Sequence, residues 1–305
     1  LSGYLMTSVM RDKYEYNAKG ISLFISKRIV RIFPSYWIAI VISFVIISLD
    51  PLTSKICHPS LCLPNDFSQW ISNIILFGKE SSSKLVPPGW SLLTEFFYYI
   101  LISLFLTKYD FLIIIWFLFS LLSIFHLNIH TNNSDWIQKL YFDPLSSSLP
   151  FSIGSLIYVI KRKSNSYFYS RKFISYFSLL NLTIIFFFSI STIFFNPQED
   201  LTEFKVSYYI NMILLAFVIL FLSCVNNPTN RLEKTDSLLG GISYPLYLLH
   251  WPIYAGIQSA FWRLSLPNHE ILIILSVLFI VIMISILFII PLEKYLKLRF
   301  ELKFI

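Results

Sequence analysis

Residues 240–253 read GGISYPLYLLHWPI, an apolar run that nevertheless carries a serine, two tyrosines and a histidine. At helical spacing Ser243, Tyr247, His250 and Tyr254 share one face, because residues three and four apart are neighbours on a helix. His250 lies eight to ten residues into its apolar segment, roughly 12–15 Å deep at the helical rise. An ionisable group at that depth is expensive and marks either a functional site or a hydrogen bond to a neighbouring helix. A second candidate is Glu95 in PPGWSLLTEFFYYI, residues 87–100. It follows Trp90 by five residues, about 7–8 Å below the membrane interface. An intramembrane carboxylate faces a polar cavity or a partner, and an acid or base near neutral pH is what activating a hydroxyl requires. The plainer reading is a structural carboxylate holding a tyrosine or an amide. A third group is Lys27, Arg28 and Arg31 in SKRIVR. Arg28 and Arg31 share a helix face, and guanidinium suits phosphate, whether of a lipid or of a cytoplasmic cofactor. As a bare pattern, lipid anchoring is the simpler explanation.

Positioning such groups falls to membrane helices. The 305 residues are 56% hydrophobic and only 13% charged, too few charges to cover a soluble domain of this size. Apolar windows at 33–49, 90–107, 111–127, 140–160, 173–195, 206–225, 242–261 and 271–290 approach or exceed the ~17–25 residues that cross a bilayer. Residues 1–10 read as the tail of a further helix. The expectation is an all-α, polytopic membrane bundle with eight complete transmembrane helices and an N-terminal stub. No internal repeat or second soluble domain stands out, and the start of the sequence has the reverse of a secretory signal's charge order.

The connections alternate between two sides. Those at 11–31, 108, 161–172, 226–236 and after 291 hold 18 of the 24 Lys and Arg residues, against six on the other side. The positive-inside rule puts the richer set, including the 11–31 segment and the C-terminal tail, in the cytoplasm. The formal charge of +7 is therefore a matter of membrane orientation, and no nucleic-acid partner is expected. The basic, amphipathic tail 293–305 is expected to form a helix on the inner leaflet. The connection at 50–88 falls on the far side, where Cys57 and Cys62 of CHPSLC either bridge or stay reduced; Cys224 is expected simply to pack.

Several chemistries lack their motifs. None of the eight glycines builds a GxGxxG or Walker-type loop, and HExxH and GxSxG are absent. His126 and His130 in HLNIH have the i, i+4 spacing of metal ligands, but without a nearby third ligand they read as an interfacial pair. No metal is expected.

Taken together, LSGYLMT at the start, SKRIVRIFPSYW, PPGWSLLTEFFYY, LPFSIGSLIY at 149–158, GGISYPLYLLHWPI and the closing IIPLEKY resemble acyltransferase family 3, bacterial membrane proteins that O-acylate sugars and other acceptors. The resemblance implies a ten-helix bundle, an acyl-CoA donor (acetyl-CoA or a larger acyl-CoA) on the cytoplasmic side and an acceptor at the other face. On its terms Arg28 and Arg31 match the basic motif before the family's third helix. Trp90, Ser91 and Glu95 match its W-S-x-x-x-E motif, and Ser243, Tyr244, Tyr247 and His250 match its Y-x-x-H-x-P motif. It implies catalytic roles for His250 and Glu95 and substrate binding by Arg28, Arg31, Trp90, Ser91, Ser243, Tyr244 and Tyr247. It further implies a catalytic histidine, preceded by an arginine, on a helix before Leu1, with His250 then positioning the donor or stabilising charge. On that reading residues 1–305 form one membrane acyltransferase domain, truncated at its N-terminus, whose own activity hangs on the missing histidine. The expected setting is the bacterial plasma membrane, with the lipid bilayer, acyl-CoA and a surface sugar such as O-antigen as partners. The competing classes are a glycolipid transporter or flippase and a membrane glycan polymerase.

Overall fold

The computed structural model describes residues 1–50, 61–76, 84–131, 135–136, 139–140, 143–163, 182, 184, 201–223, 230–265 and 270–303. Among these residues the chain is helical, with no strand. In order come α1 (Ser2–Lys13), α2 (Ala18–Leu49), α3 (Phe67–Ile74), α4 (Gly89–Leu101), α5 (Asp110–His130), α6 (Ser148–Lys163), α7 (Leu201–Ser223), α8 (Asn230–Arg263), α9 (Glu270–Ile284) and α10 (Ile290–Lys303). One π-helical turn, Ile102–Leu106, extends α4, and another, Ser285–Ile289, joins α9 to α10. Among the described residues four helical stretches are long and apolar enough to cross a membrane: Ala18–Leu49, Gly89–Leu106, Asp110–His130 and Glu270–Arg299. Large apolar side chains such as Leu122, Ile271 and Phe279 are about two-thirds exposed or more on these helices, as a lipid-facing surface requires.

The helices differ from the expected windows in identifiable ways. α2 starts at Ala18, so Lys19, Lys27, Arg28 and Arg31 lie on its N-terminal turns, and Arg11 and Lys13 end α1, rather than all lying in a separate connection. The window at 140–160 becomes the sixteen-residue α6, which starts only at Ser148. Asp143 and Pro144 interrupt it: the Asp143 carboxylate accepts from the Leu145 and Ser146 amides and the Ser146 hydroxyl, tying the chain into a turn. The tail predicted as a separate helix is the end of a rod continuous from Glu270. The predicted span 173–195, but for two positions, lies outside the described residues, as do Cys57 and Cys224; Cys62 is a free, half-buried cysteine.

The chain divides into two compact units, Leu1–Phe24 with Phe97–Asn227, and Ile25–Phe96 with Pro228–Ile305. In the first unit, α1 and α6 run parallel at very close range. Thr7 Oγ1 meets Ser155 Oγ at 2.7 Å, and Tyr158 donates to Asp12 at 2.6 Å. Gly3 and Gly154 allow the approach, since a side chain at either would strike the facing backbone; small residues bring membrane helices together in this way. α5 runs antiparallel to α6, with the Trp116 indole donating to Ser148 at 2.7 Å and Ser120 beside the same hydroxyl at 2.8 Å. Arg11, half-buried, reaches Asp110 at 2.6 Å.

In the second unit α2 and α8 run parallel and keep register along their length. The Tyr244 hydroxyl donates to the Ile32 carbonyl at 3.1 Å, Gly256 lies against Ile46, and Asp50 accepts from Ser259 and from Arg263, the latter at 2.6 Å. α4 runs antiparallel to α2, Gly89 meeting Tyr36 and Phe96 meeting Phe33. α10 brings Glu293 to the Ser35 hydroxyl and Ile290 to Gly241. α3 packs along α2: Tyr36 donates to the Asn73 carbonyl at 2.7 Å, Trp37 to the Ile74 carbonyl at 3.0 Å, and Phe44 meets Trp70. These directions agree with the alternation read from the sequence for the segments 33–49, 90–107, 242–261 and 271–290.

Candidate functional site

All the site residues expected from sequence fall in this second unit. α8 supplies the centre. Pro245 and Pro252 lie within it; lacking an N–H, they withhold the intrahelical donor from the Gly241 and Leu248 carbonyls, and a membrane helix accepts such breaks where neighbours or polar groups compensate. Between the two prolines, the Nδ1 of His250 meets the Leu246 carbonyl at 3.1 Å. A carbonyl only accepts, so this contact takes a proton on Nδ1, and the tautomer that makes it leaves Nε2 as the acceptor nitrogen.

His250 lines a cavity of about 640 Å³ together with Leu246, Trp251, Tyr254, Gln258, Ile274, Val277 and Leu278 of α8 and α9. Apart from the imidazole, Tyr254 and Gln258, with the indole of Trp251, the lining is aliphatic. Glu95 is not among the residues that line it. The Glu95 carboxylate lies instead within electrostatic reach of Tyr247, whose ring centre is 6.2 Å from that of His250. Tyr247 is thus close to both of the expected catalytic groups.

The start of α4 is fastened to the same helix. The Tyr247 hydroxyl donates to the Pro88 carbonyl at 3.1 Å and meets Ser91 Oγ at 2.6 Å, and Ser91 is itself 3.2 Å from the Pro88 oxygen. Gly89 permits this packing, because a Cβ there would come within 3.1 Å of the Tyr36 ring. Trp90 is half-buried beside this cluster in sequence. The motif residues Ser91, Tyr247 and, through its charge, Glu95 therefore act as one local group, although more than 150 residues separate Ser91 from Tyr247.

At the other end of the site stand the arginines. Tyr244 bonds the Ile32 carbonyl, one residue beyond Arg31, so Ser243 and Tyr244 sit level with the basic cluster of α2. Arg31 is exposed and within electrostatic reach of Glu293; Arg28 is half-buried, with its Nε out of contact with solvent. Ser243 is exposed and turns its hydroxyl back to the Gly240 carbonyl at 3.0 Å. From Tyr244 to His250 is six residues, about 9 Å along the helix. Arg28 and Arg31 are therefore offset from His250 by roughly 10–15 Å along the helix axis and do not line its cavity. Among the described residues no group of three or more His, Cys, Asp or Glu side chains is arranged to hold a metal. His126 and His130, 4.5 Å apart between ring centres, line a separate cavity of about 600 Å³ in the first unit.

Sequence reasoning missed Gln258 and Trp251. The signal for Gln258 was present, since it continues the four-residue spacing of His250 and Tyr254, but only the facing helix α9 shows that this side of α8 borders a cavity.

A family model described as an acyltransferase domain matches residues 1–290 of the chain. No curated protein and no solved structure matches it.

Proposed function

Because the chain belongs to acyltransferase family 3, we propose that it is a membrane-bound O-acyltransferase that moves an acyl group, acetyl in the first instance, from acyl-CoA to a hydroxyl of a cell-surface sugar such as O-antigen. The observation that carries the residue assignment is the imidazole of His250. Its Nδ1 hydrogen is committed to the Leu246 carbonyl and its ring borders a cavity of about 640 Å³. That contact supports Nε2 as the atom that takes a proton.

In this reading Arg28 and Arg31 hold the phosphates of the donor at the cytoplasmic end, as guanidinium groups suit, with Ser243 and Tyr244 alongside. The axial offset of roughly 10–15 Å from these arginines to His250 is within reach of an extended pantetheine arm. His250 Nε2 removes the proton of the acceptor hydroxyl as its oxygen attacks the acyl carbon. The carbon–sulfur bond then breaks, the imidazolium returns the proton to the departing thiolate, and the products are an O-acyl ester and free CoA. Glu95, acting across Tyr247, stabilises the positive charge that builds on the imidazole. Ser91, Trp90 and Tyr247 keep α4 against α8 so that this charge stays close. The excess of Lys and Arg on one set of connections, 18 against six, supports a plasma-membrane orientation with the arginine end and the C-terminal tail in the cytoplasm.

The test is transfer of radiolabelled acetyl from acetyl-CoA by membranes carrying the full-length protein. His250→Ala is expected to lower transfer by about 10²–10⁴-fold, the usual worth of a general base, with membrane insertion unchanged. Wild-type activity in that variant would remove His250 from the chemistry. Movement of a glycolipid across the membrane without consumption of acyl-CoA would favour a transporter instead.

A further inference from the structure

We propose that the cavity beside His250 is the acceptor subsite and that it takes a sugar ring, positioned by Trp251, Tyr254 and Gln258; this rests on the acyl-transfer reading above. Location is the first reason. The cavity follows α8 from Leu246 to Gln258, whereas the level of the arginines is that of Tyr244, which bonds Ile32. Most of the cavity therefore lies beyond His250 on the side away from Arg28 and Arg31. A donor anchored at the arginines delivers its thioester to His250 from one end and leaves the other end for the alcohol.

The pattern of polar groups is the second reason. His250, Tyr254 and Gln258 recur every four residues and form a ladder about 12 Å long on one wall. The facing wall, with Ile274 and Val277, is aliphatic. Among the described residues neither the Tyr254 hydroxyl nor the Gln258 amide has a hydrogen-bond partner. Both side chains are half-buried, and a polar group partly withdrawn from water against an aliphatic wall gains from a partner. The acyl tail of a long-chain donor would leave both unpaired. A pyranose ring satisfies them with the hydroxyls along its rim, while its C–H face rests on the Trp251 indole and the aliphatic wall. The volume of about 640 Å³ falls within the roughly 300–1,000 Å³ of ligand pockets and exceeds what an acetyl group alone would fill.

The experiment uses the full-length protein in lipid nanodiscs with radiolabelled acetyl-CoA. The acceptor probes are a panel of methyl hexopyranosides and, as a ring of like size with a single hydroxyl, cyclohexanol. The expected result is transfer to at least one glycoside with a lower KM than for cyclohexanol. Gln258→Leu and Tyr254→Phe should each raise the glycoside KM about five- to tenfold, the worth of one hydrogen bond to a neutral group, with kcat within about twofold. Neither should move the KM for cyclohexanol. Val277→Trp, which fills the cavity from the other wall without touching a polar group, should block transfer to the glycoside. Unchanged glycoside KM in the two ladder variants, transfer in Val277→Trp at the wild-type rate, preference for cyclohexanol, or acetyl-CoA consumption with no product from any glycoside would each overturn the subsite. Failure to consume acetyl-CoA at all would refute acyl transfer itself, and the subsite with it.

Discussion

Replacing Gly154 by alanine puts the parallel packing of α1 and α6 to a quantitative test. A Cβ at that position would lie 2.6 Å from the Tyr4 amide nitrogen, 3.1 Å from the Gly3 carbonyl carbon and 3.2 Å from the Gly3 Cα. All three are backbone atoms, so no rotamer change relieves the clash and the helices themselves must part. Restoring an ordinary contact of 3.4 Å to the nearest atom needs about 0.8 Å of separation. A shift of that size would stretch the Thr7–Ser155 contact from 2.7 Å to about 3.5 Å, where a hydrogen bond is largely lost. Overpacking of this kind costs about 1–3 kcal/mol, and an interhelical hydrogen bond in a membrane adds about 0.6 kcal/mol. Alanine returns about 0.5–1 kcal/mol through its better helix propensity. The net expectation is a loss of about 1–3 kcal/mol for Gly154→Ala. Gly240→Ala serves as the control, because a Cβ there meets nothing within 4 Å and only the propensity gain remains. The assay is equilibrium unfolding of the purified protein in mixed detergent–denaturant micelles, followed by tryptophan fluorescence. Equal stabilisation by both substitutions would refute the close approach of α1 and α6.

Three further outcomes are expected. Tyr247→Phe should destabilise the protein by about 1 kcal/mol and by more than Ser91→Ala, since the tyrosine hydroxyl serves both Pro88 and Ser91 whereas loss of the serine leaves the Tyr247–Pro88 bond intact; the same unfolding assay ranks them, and the reverse order would contradict the geometry. On a background free of native cysteines, Leu264→Cys should react with a membrane-impermeant maleimide in intact cells, whereas Leu298→Cys should react only after permeabilisation. Both positions are exposed, and labelling of the two from the same side would contradict the proposed topology. In a Cys57→Ser, Cys224→Ser variant, alkylation of Cys62 should rise with pH at a higher midpoint than for an ordinary cysteine near pH 8.5. Burial raises this thiol's pKa and so lowers the reactive thiolate fraction at any given pH below it; a midpoint at or below the ordinary value would show the thiol to be solvated.

Much of this protein is written locally. Hydrophobic runs of the right length give helices wherever the bilayer must satisfy the backbone, and the alternation of connections already makes 33–49 and 242–261 point the same way, as α2 and α8 do. The short polar motifs also announce themselves, because a histidine or glutamate within an apolar run is costly and therefore conspicuous. The start of α6 was misplaced at 140 because hydropathy does not register the turn that Asp143 and Pro144 build.

What the tertiary structure alone decides are meetings between residues far apart in the chain. No local pattern says that Ser91 and Tyr247 share the Pro88 carbonyl, that Tyr244 sets α8 against α2 beside Arg31, or that Gly154 faces the backbone at Gly3 and Tyr4. Nor does any local pattern turn Gln258 and Tyr254 toward a cavity rather than lipid, for that depends on α9 standing opposite them. A helix's own hydrogen bonds are closed within a few residues, so sequence fixes its existence. Which of its faces meets a partner depends on packing summed over the whole unit, and only there does an imidazole on an apolar helix become the edge of a site.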